Sequence, residues 1–186
     1  MRVAQHAVVA CLLIVIIMMA TATADEGPHR SGPNGPALND TCSLTAGDSA
    51  VQWAVGDSGR VFKTVNGTTQ LEYNLGKGQY DLLGVSFADV DHGWIVGSKR
   101  DDPERGRGVV FRTTTGGENS QAWTASCPVV RPDINVPFLK VQAMDVRHVW
   151  ITCEDGHMLY SNDGGARWAV TAKCNRPDTE WSDHEK

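Results

Sequence analysis

A four-residue phrase occurs three times along this chain: Trp53-Ala54-Val55-Gly56, Trp94-Ile95-Val96-Gly97 and Trp150-Ile151-Thr152-Cys153. Each copy is followed by a hydroxyl- and glycine-rich turn. The turns are Thr64-Val65-Asn66-Gly67, Thr113-Thr114-Thr115-Gly116-Gly117 and Ser161-Asn162-Asp163-Gly164-Gly165, and they start 49 and 48 residues apart. A unit of this size cannot bury its own apolar face, so copies must stack against one another. The repeat therefore fixes an architecture before any functional question arises.

The second copy shows what the unit is. Residues 82–87 alternate as a strand and are followed by the turn-forming run Asp89-Val90-Asp91-His92-Gly93. Residues 94–97, 109–113 and 122–125 supply three further short strands. The third copy repeats the order with 138–143, 149–152, 157–161 and 167–171. In the first, 51–55, 61–64 and 71–73 form strands two to four, and the innermost strand falls around 42–44, where the pattern is weak. No segment after residue 24 keeps a helical period of useful length. The expected fold class is all-β: a β-propeller-like array of about three four-stranded antiparallel blades, an incomplete propeller. The signature residues Trp53, Gly56, Trp94, Gly97 and Trp150 are read as structural.

The repeats disagree in two places. Trp and turn are 11 residues apart in copies one and three but 19 in copy two. The excess is a charged excursion at 99–106. Within and beside it, Lys99, Arg100, Arg105 and Arg107 make a candidate interaction loop, although Asp101, Asp102 and Glu104 are interleaved with them. A second insertion, 128–137, separates copies two and three. Insertions in repeat proteins lie on loops, where binding concentrates.

Residues 1–24 read as a signal peptide: a basic start at Arg2, an apolar stretch from Ala7 to Ala20, and the small-residue cleavage site Ala22-Thr23-Ala24. The apolar stretch is shorter than the roughly 20 residues of a membrane span. Residues 25–40 read as a flexible lead-in, 41–174 as the repeat domain and 175–186 as a polar tail. This predicts a secreted, lumenal or periplasmic chain with no span after cleavage. In such a compartment Cys42, Cys127, Cys153 and Cys174 are candidates for two disulfides of open connectivity. Asn39 and Asn66 head glycosylation sequons. The net charge of −5 is mildly acidic and mixed, and no basic stripe with interleaved aromatics supports nucleic-acid binding.

Ser161-Asn162-Asp163-Gly164-Gly165-Ala166-Arg167-Trp168 resembles the Asp-box of bacterial neuraminidase repeats, with Arg167 in place of the usual Thr. Together with His92-Gly93-Trp94-Ile95-Val96-Gly97 it resembles the repeat of the photosystem II assembly and stability factor family. The resemblance covers most of 51–170. It implies structural roles for Ser161, Asp163, Gly165 and Trp168. The Asp163 carboxylate accepts turn N–H groups, the glycines allow positive φ, and Trp168 packs between blades.

Sialidases of this repeat type use an arginine triad, a Tyr–Glu pair and an Asp, gathered from five or six blades. Three blades with only Tyr73, Tyr80 and Tyr160 do not match that set. His92 and His148 occupy the same repeat position before the Trp strand and read as turn residues rather than metal ligands. The resulting expectation is a non-enzymatic, exported protein-interaction module with no catalytic residues, cofactor or metal. Three blades leave open faces, so a protein partner or self-association is expected. A glycan-binding or sialidase-related propeller is the alternative.

Overall fold

A computed structural model describes residues 37–100, 107–126 and 136–173. The expected signal peptide, most of the lead-in, the centre of the charged excursion and the polar tail lie outside the described residues. So do Arg105, Cys127 and Cys174.

Among the described residues, twelve strands form three four-stranded antiparallel sheets, each a meander with its strands in chain order. Blade one contains β1 (Leu38–Ala46), β2 (Ser49–Gly56), β3 (Arg60–Val65) and β4 (Thr68–Asn74). Blade two contains β5 (Tyr80–Phe87), β6 (Gly93–Lys99), β7 (Gly108–Thr113) and the short β8 (Thr124–Ser126). Blade three contains β9 (Phe138–Ala143), β10 (Val149–Cys153), β11 (His157–Ser161) and β12 (Ala169–Lys173). The only helical elements among the described residues are single 3-10 turns at Asp57–Gly59, Leu75–Gly78 and Ser120–Ala122. None is long or apolar enough to cross a membrane.

The first strand is the main departure from expectation. β1 runs over nine residues rather than three, and it takes in Leu38, Asn39 and Asp40 from the expected lead-in. Its pattern is weak in sequence because Thr41, Ser43 and Thr45 are exposed, so that only one face alternates into the core. Asp40 holds the three inner strands together. Its carboxylate accepts the Val85 N–H at 3.0 Å and pairs with Lys140 at 2.9 Å. β1, β5 and β9 thus meet at one acidic residue.

Two cores fill the two joints between blades. The first packs Val51, Trp53, Val55 and Val61 of blade one against Val85, Phe87, Ile95, Phe111 and Trp123 of blade two. Trp53 stacks on Phe87 with ring centroids 3.7 Å apart and planes 16° from parallel. The second packs Trp94, Val96 and Val110 of blade two against Val141, Val149, Ile151 and Leu159 of blade three. Trp53 and Trp94 are both fully buried, and burying a side chain of this size contributes about 3 kcal/mol or more.

The glycine of the repeated phrase is not a turn residue. Gly56 ends β2 and Gly97 lies near the end of β6, each opposite a bulge in the preceding inner strand. A Cβ at Gly56 would overlap the Ala37 carbonyl oxygen, and one at Gly97 would overlap that of Asp81. The backbone approaches too closely for any side chain there. In blade three the equivalent position holds Cys153, where the bulge shifts the pairing to Phe138.

Candidate functional site: the joints between blades and the open face of blade three

Each blade presents the same three positions towards the next one. On the first strand stand Cys42, Ser86 and Gln142, which pair in register with Trp53, Trp94 and Trp150 on the second. The third strand adds Lys63, Arg112 and Tyr160, paired with the same tryptophans. Alternation along a strand puts all three on one face.

At the first joint the Trp53 indole donates to the Gly116 carbonyl of blade two at 3.4 Å. The Phe87 N–H donates to Cys42 Sγ at 3.4 Å. Lys63 lies 5.4 Å from the Trp53 ring centroid and donates to the same Gly116 carbonyl. At the second joint the Trp94 indole donates to the Gly164 carbonyl at 3.0 Å, and the Ala143 N–H donates to Ser86 Oγ at 3.0 Å. The glycine-rich turn of one blade is therefore the acceptor for the tryptophan of the blade before it. This explains why phrase and turn recur together.

The turn geometry supports the structural reading of the Asp-box. Ser161 Oγ accepts from Gly165 N at 2.7 Å and donates to Asp163 at 2.9 Å. Asp163 accepts the Arg167 N–H at 2.9 Å, and this bond foremost holds its carboxyl below the usual range. In blade two Thr113 Oγ1 does the work of Ser161, accepting from Thr115 N and Gly117 N. In blade one a two-residue turn with Asn66 and Gly67 at positive φ replaces the box.

At blade three the series stops. Trp150 is half-buried, and no described residue accepts from its indole. Its ring lies 4.5 Å from that of Tyr160, which in turn stacks on His148. Gln142 is also half-buried. The face that would carry a fourth blade thus displays Gln142, Trp150 and Tyr160. The opposite end is different: on the outer face of blade one Thr41, Ser43, Thr45 and Gln52 are exposed beside Ala54 and the half-buried Phe62.

The charged excursion is less available than its sequence suggests. Arg100 bridges to Asp81 at 3.4 Å and donates to the Ser58 hydroxyl, so it ties blade two to the 3-10 turn of blade one. Lys99 and Arg107 are exposed and close the base of the loop through a Lys99 N–H to Arg107 carbonyl bond of 2.9 Å.

The cysteines depart from expectation. Cys42 and Cys153 are free thiols rather than halves of disulfides. Cys42 serves as the acceptor described above, and burial pushes the Cys153 thiol up to about 12. The amide of Asn39, which heads a sequon, donates to Asp57 and to the Leu82 carbonyl, both at 2.8 Å. A glycan on that nitrogen would break the contact between β1 and β5. Asn66 is exposed, and its side-chain oxygen accepts from Ala50 N.

The histidines act in turns. His92 bonds to Asp89 at 2.9 Å and His148 to Asp145 at 2.7 Å. The His148 bond is the leading reason that the Asp145 carboxyl falls to about 2. No group of three or more His, Cys, Asp or Glu gathers among the described residues.

Sequence reasoning missed the cross-blade acceptors and the third-strand residue beside each tryptophan. Both leave a trace. Ser86 and Gln142 lie eight residues before their tryptophan, and Lys63, Arg112 and Tyr160 immediately precede their turn.

No protein-family model matches the chain, and neither does any curated protein. Solved structures do. A structure of YCF48 bound to a D1 peptide shares 19% identity at a TM-score of 0.55, over 74% of this chain and 42% of that one. YCF48 from Cyanidioschyzon merolae shares 21% identity at a TM-score of 0.58, over 83% of this chain and 45% of that one. Three blades stacked through tryptophan-to-glycine bonds thus carry the β-propeller fold of YCF48, and the chain spans less than half the length of those proteins.

Proposed function

We propose that this chain is a non-enzymatic protein-interaction module of the assembly-factor kind, acting in a secreted or lumenal compartment and engaging a protein through the open face of blade three. One observation carries the reading. Trp150 occupies the position from which Trp53 and Trp94 each donate to the next blade's glycine carbonyl, yet no described residue accepts from it. A half-buried indole N–H beside Gln142 and Tyr160 suits a partner that offers backbone carbonyl and N–H groups. The peptide bound to one YCF48 structure supports a peptide-bearing partner for this fold. The apolar N-terminal stretch supports export.

The test places a photo-crosslinking phenylalanine analogue at Tyr160 and, as a control, at the exposed Thr45 on the outer face of blade one. Crosslinking to protein from the native compartment is expected at 160 and not at 45, and Trp150→Arg should abolish it. Equal labelling at both sites, or none at 160, would overturn the reading. Retention on a glycan array that is lost in Trp150→Ala would instead favour the glycan-binding alternative, which the half-exposed Trp150–Tyr160 ring pair makes concrete.

A further inference from the structure

The three glycine-bearing turns are alike in sequence but not in surroundings. In blades two and three the turn is enclosed. The Gly116 and Gly164 carbonyls each accept an indole N–H from the blade before. A Cβ at either glycine would come within 2.8 Å of a backbone carbonyl oxygen, that of Val90 or Val146. Gly67 holds the same place in blade one, where a Cβ would meet no described atom within 4 Å. No described blade precedes blade one, so its turn projects freely at the leading end of the stack. Asn66, Gly67 and Thr68 are all exposed.

This open turn is the sequon Asn66-Gly67-Thr68, and its geometry leaves the acceptor nitrogen outside. Asn66 and Gly67 sit at φ of +50 and +77, the paired positive angles of a two-residue hairpin turn, which asparagine tolerates. The Asn66 N–H donates to the Ala50 carbonyl at 2.9 Å, and the side-chain Oδ1 accepts the Ala50 N–H at 2.9 Å. The oxygen is thus tied to β2, while the amide nitrogen bonds to no described residue. A glycan joined to Nδ2 leaves Oδ1 an acceptor, so both bonds to Ala50 survive. Asn39, which heads the other sequon, is built the opposite way. Its Nδ2 donates twice, to Asp57 and to the Leu82 carbonyl, whereas a substituted nitrogen keeps one hydrogen.

We propose that Asn66 is an N-glycosylation site, and that the folded protein carries its glycan there and not on Asn39. The inference rests on the export part of the proposed function, because the donor is a polyprenyl-diphosphate-linked oligosaccharide on the lumenal side of the secretory membrane. In the transfer, Nδ2 forms a bond to the anomeric carbon of the first sugar. The bond from that carbon to the diphosphate oxygen breaks, the polyprenyl diphosphate leaves, and Nδ2 gives up one proton. Transfer to an unfolded chain can reach either asparagine, so the fold decides which product is native. A chain glycosylated at Asn66 keeps every bond of the turn. One glycosylated at Asn39 loses the tie between β1 and β5. The glycan on Asn66 would extend from the end of the stack opposite to Trp150 and leave the face of blade three free.

The test expresses the full chain in a eukaryotic secretory host and treats the secreted protein with peptide N-glycosidase in 18O-water. This converts each occupied asparagine to a labelled aspartate. Peptide mass spectrometry is expected to find the label at Asn66 in most molecules and none at Asn39. Asn66→Gln and Thr68→Ala should each abolish the single gel shift that the enzyme causes. Thr41→Ala, which removes the other sequon but keeps Asn39, should leave that shift unchanged. Thr68→Ala retains Asn66 and its bonds to Ala50, so loss of the glycan in this variant does not reflect a damaged turn. Secreted chain without the label at Asn66, or with it at Asn39, would overturn the proposal while leaving export intact. A chain that stays unmodified in the cytosol would overturn the export reading and the proposal with it.

Discussion

The Trp94 indole nitrogen lies 3.0 Å from the Gly164 carbonyl oxygen, 70 residues away in sequence and in the next blade. The donor comes from the repeated phrase and the acceptor from the following copy's turn. The joint therefore exists only when both copies are folded and stacked, which is why blades of this kind stabilise one another.

Trp94→Phe removes this buried donor, leaves the carbonyl unpaired and opens a small void. A loss of about 2–3 kcal/mol is expected in urea unfolding. Trp150→Phe, at the same position of blade three, strands no acceptor among the described residues and should cost under about 1 kcal/mol. Equal losses in the two variants would contradict the indole-to-carbonyl joint.

The Tyr73 hydroxyl accepts from the Trp123 indole at 2.7 Å and donates to the Gly117 carbonyl at 2.5 Å. Tyr73→Phe breaks both bonds at once and should cost about 1–3 kcal/mol. Burial pushes the Tyr73 hydroxyl from 10.0 up to about 12. The unfolded chain then releases its proton first, so the contribution is complete below pH 10 and is lost as pH rises towards 12. Unfolding free energies measured from about pH 9 to about pH 12 should fall more steeply for the wild type than for Tyr73→Phe.

Gly97→Ala should cost about 2–3 kcal/mol or more, because the new methyl meets the Asp81 carbonyl and the backbone must shift. Gly67→Ala introduces no such overlap but must hold a φ of +77. It should lose only about 1 kcal/mol. Thermal unfolding of the pair distinguishes close approach from turn strain.

Acid stability depends on the turns. The Asp145 carboxyl, held down to about 2 chiefly by its His148 bond, and Asp163, held down chiefly by the Arg167 N–H, are both depressed. Their contributions are present above the unfolded value of 3.8 and vanish as pH falls through the folded one. Asp145→Asn should therefore flatten the pH dependence of stability from about pH 4 to about pH 2. An unchanged acid limb would show that the turn bond carries no stability.

Ser161→Ala strands the Gly165 N–H, which Ser161 Oγ accepts at 2.7 Å, inside a buried turn. A loss of about 1–2 kcal/mol is expected by chemical denaturation, with Ser161→Thr largely retaining stability because Thr113 performs the same role in blade two.

The blade is written in local pattern. The spacing of phrase and turn, the alternation of the strands and the Asp-box all keep their period in one dimension, so the strands from residue 49 onward were legible along the chain. β1 was less so, because one of its faces meets solvent and the alternation is carried by polar residues. Whatever depends on which copy meets which became visible only in the packed molecule. Gly56 and Gly97 answer to a neighbouring carbonyl rather than to a turn, since the bulge that crowds them lies on another strand. Arg100 and Asn39 are committed to cross-blade bonds that no spacing announces. Stacking also separates Trp150 from Trp53 and Trp94, although the three look equivalent in the repeat. Repetition makes the residues alike. Only their position in the stack decides which donors meet an acceptor in the next blade.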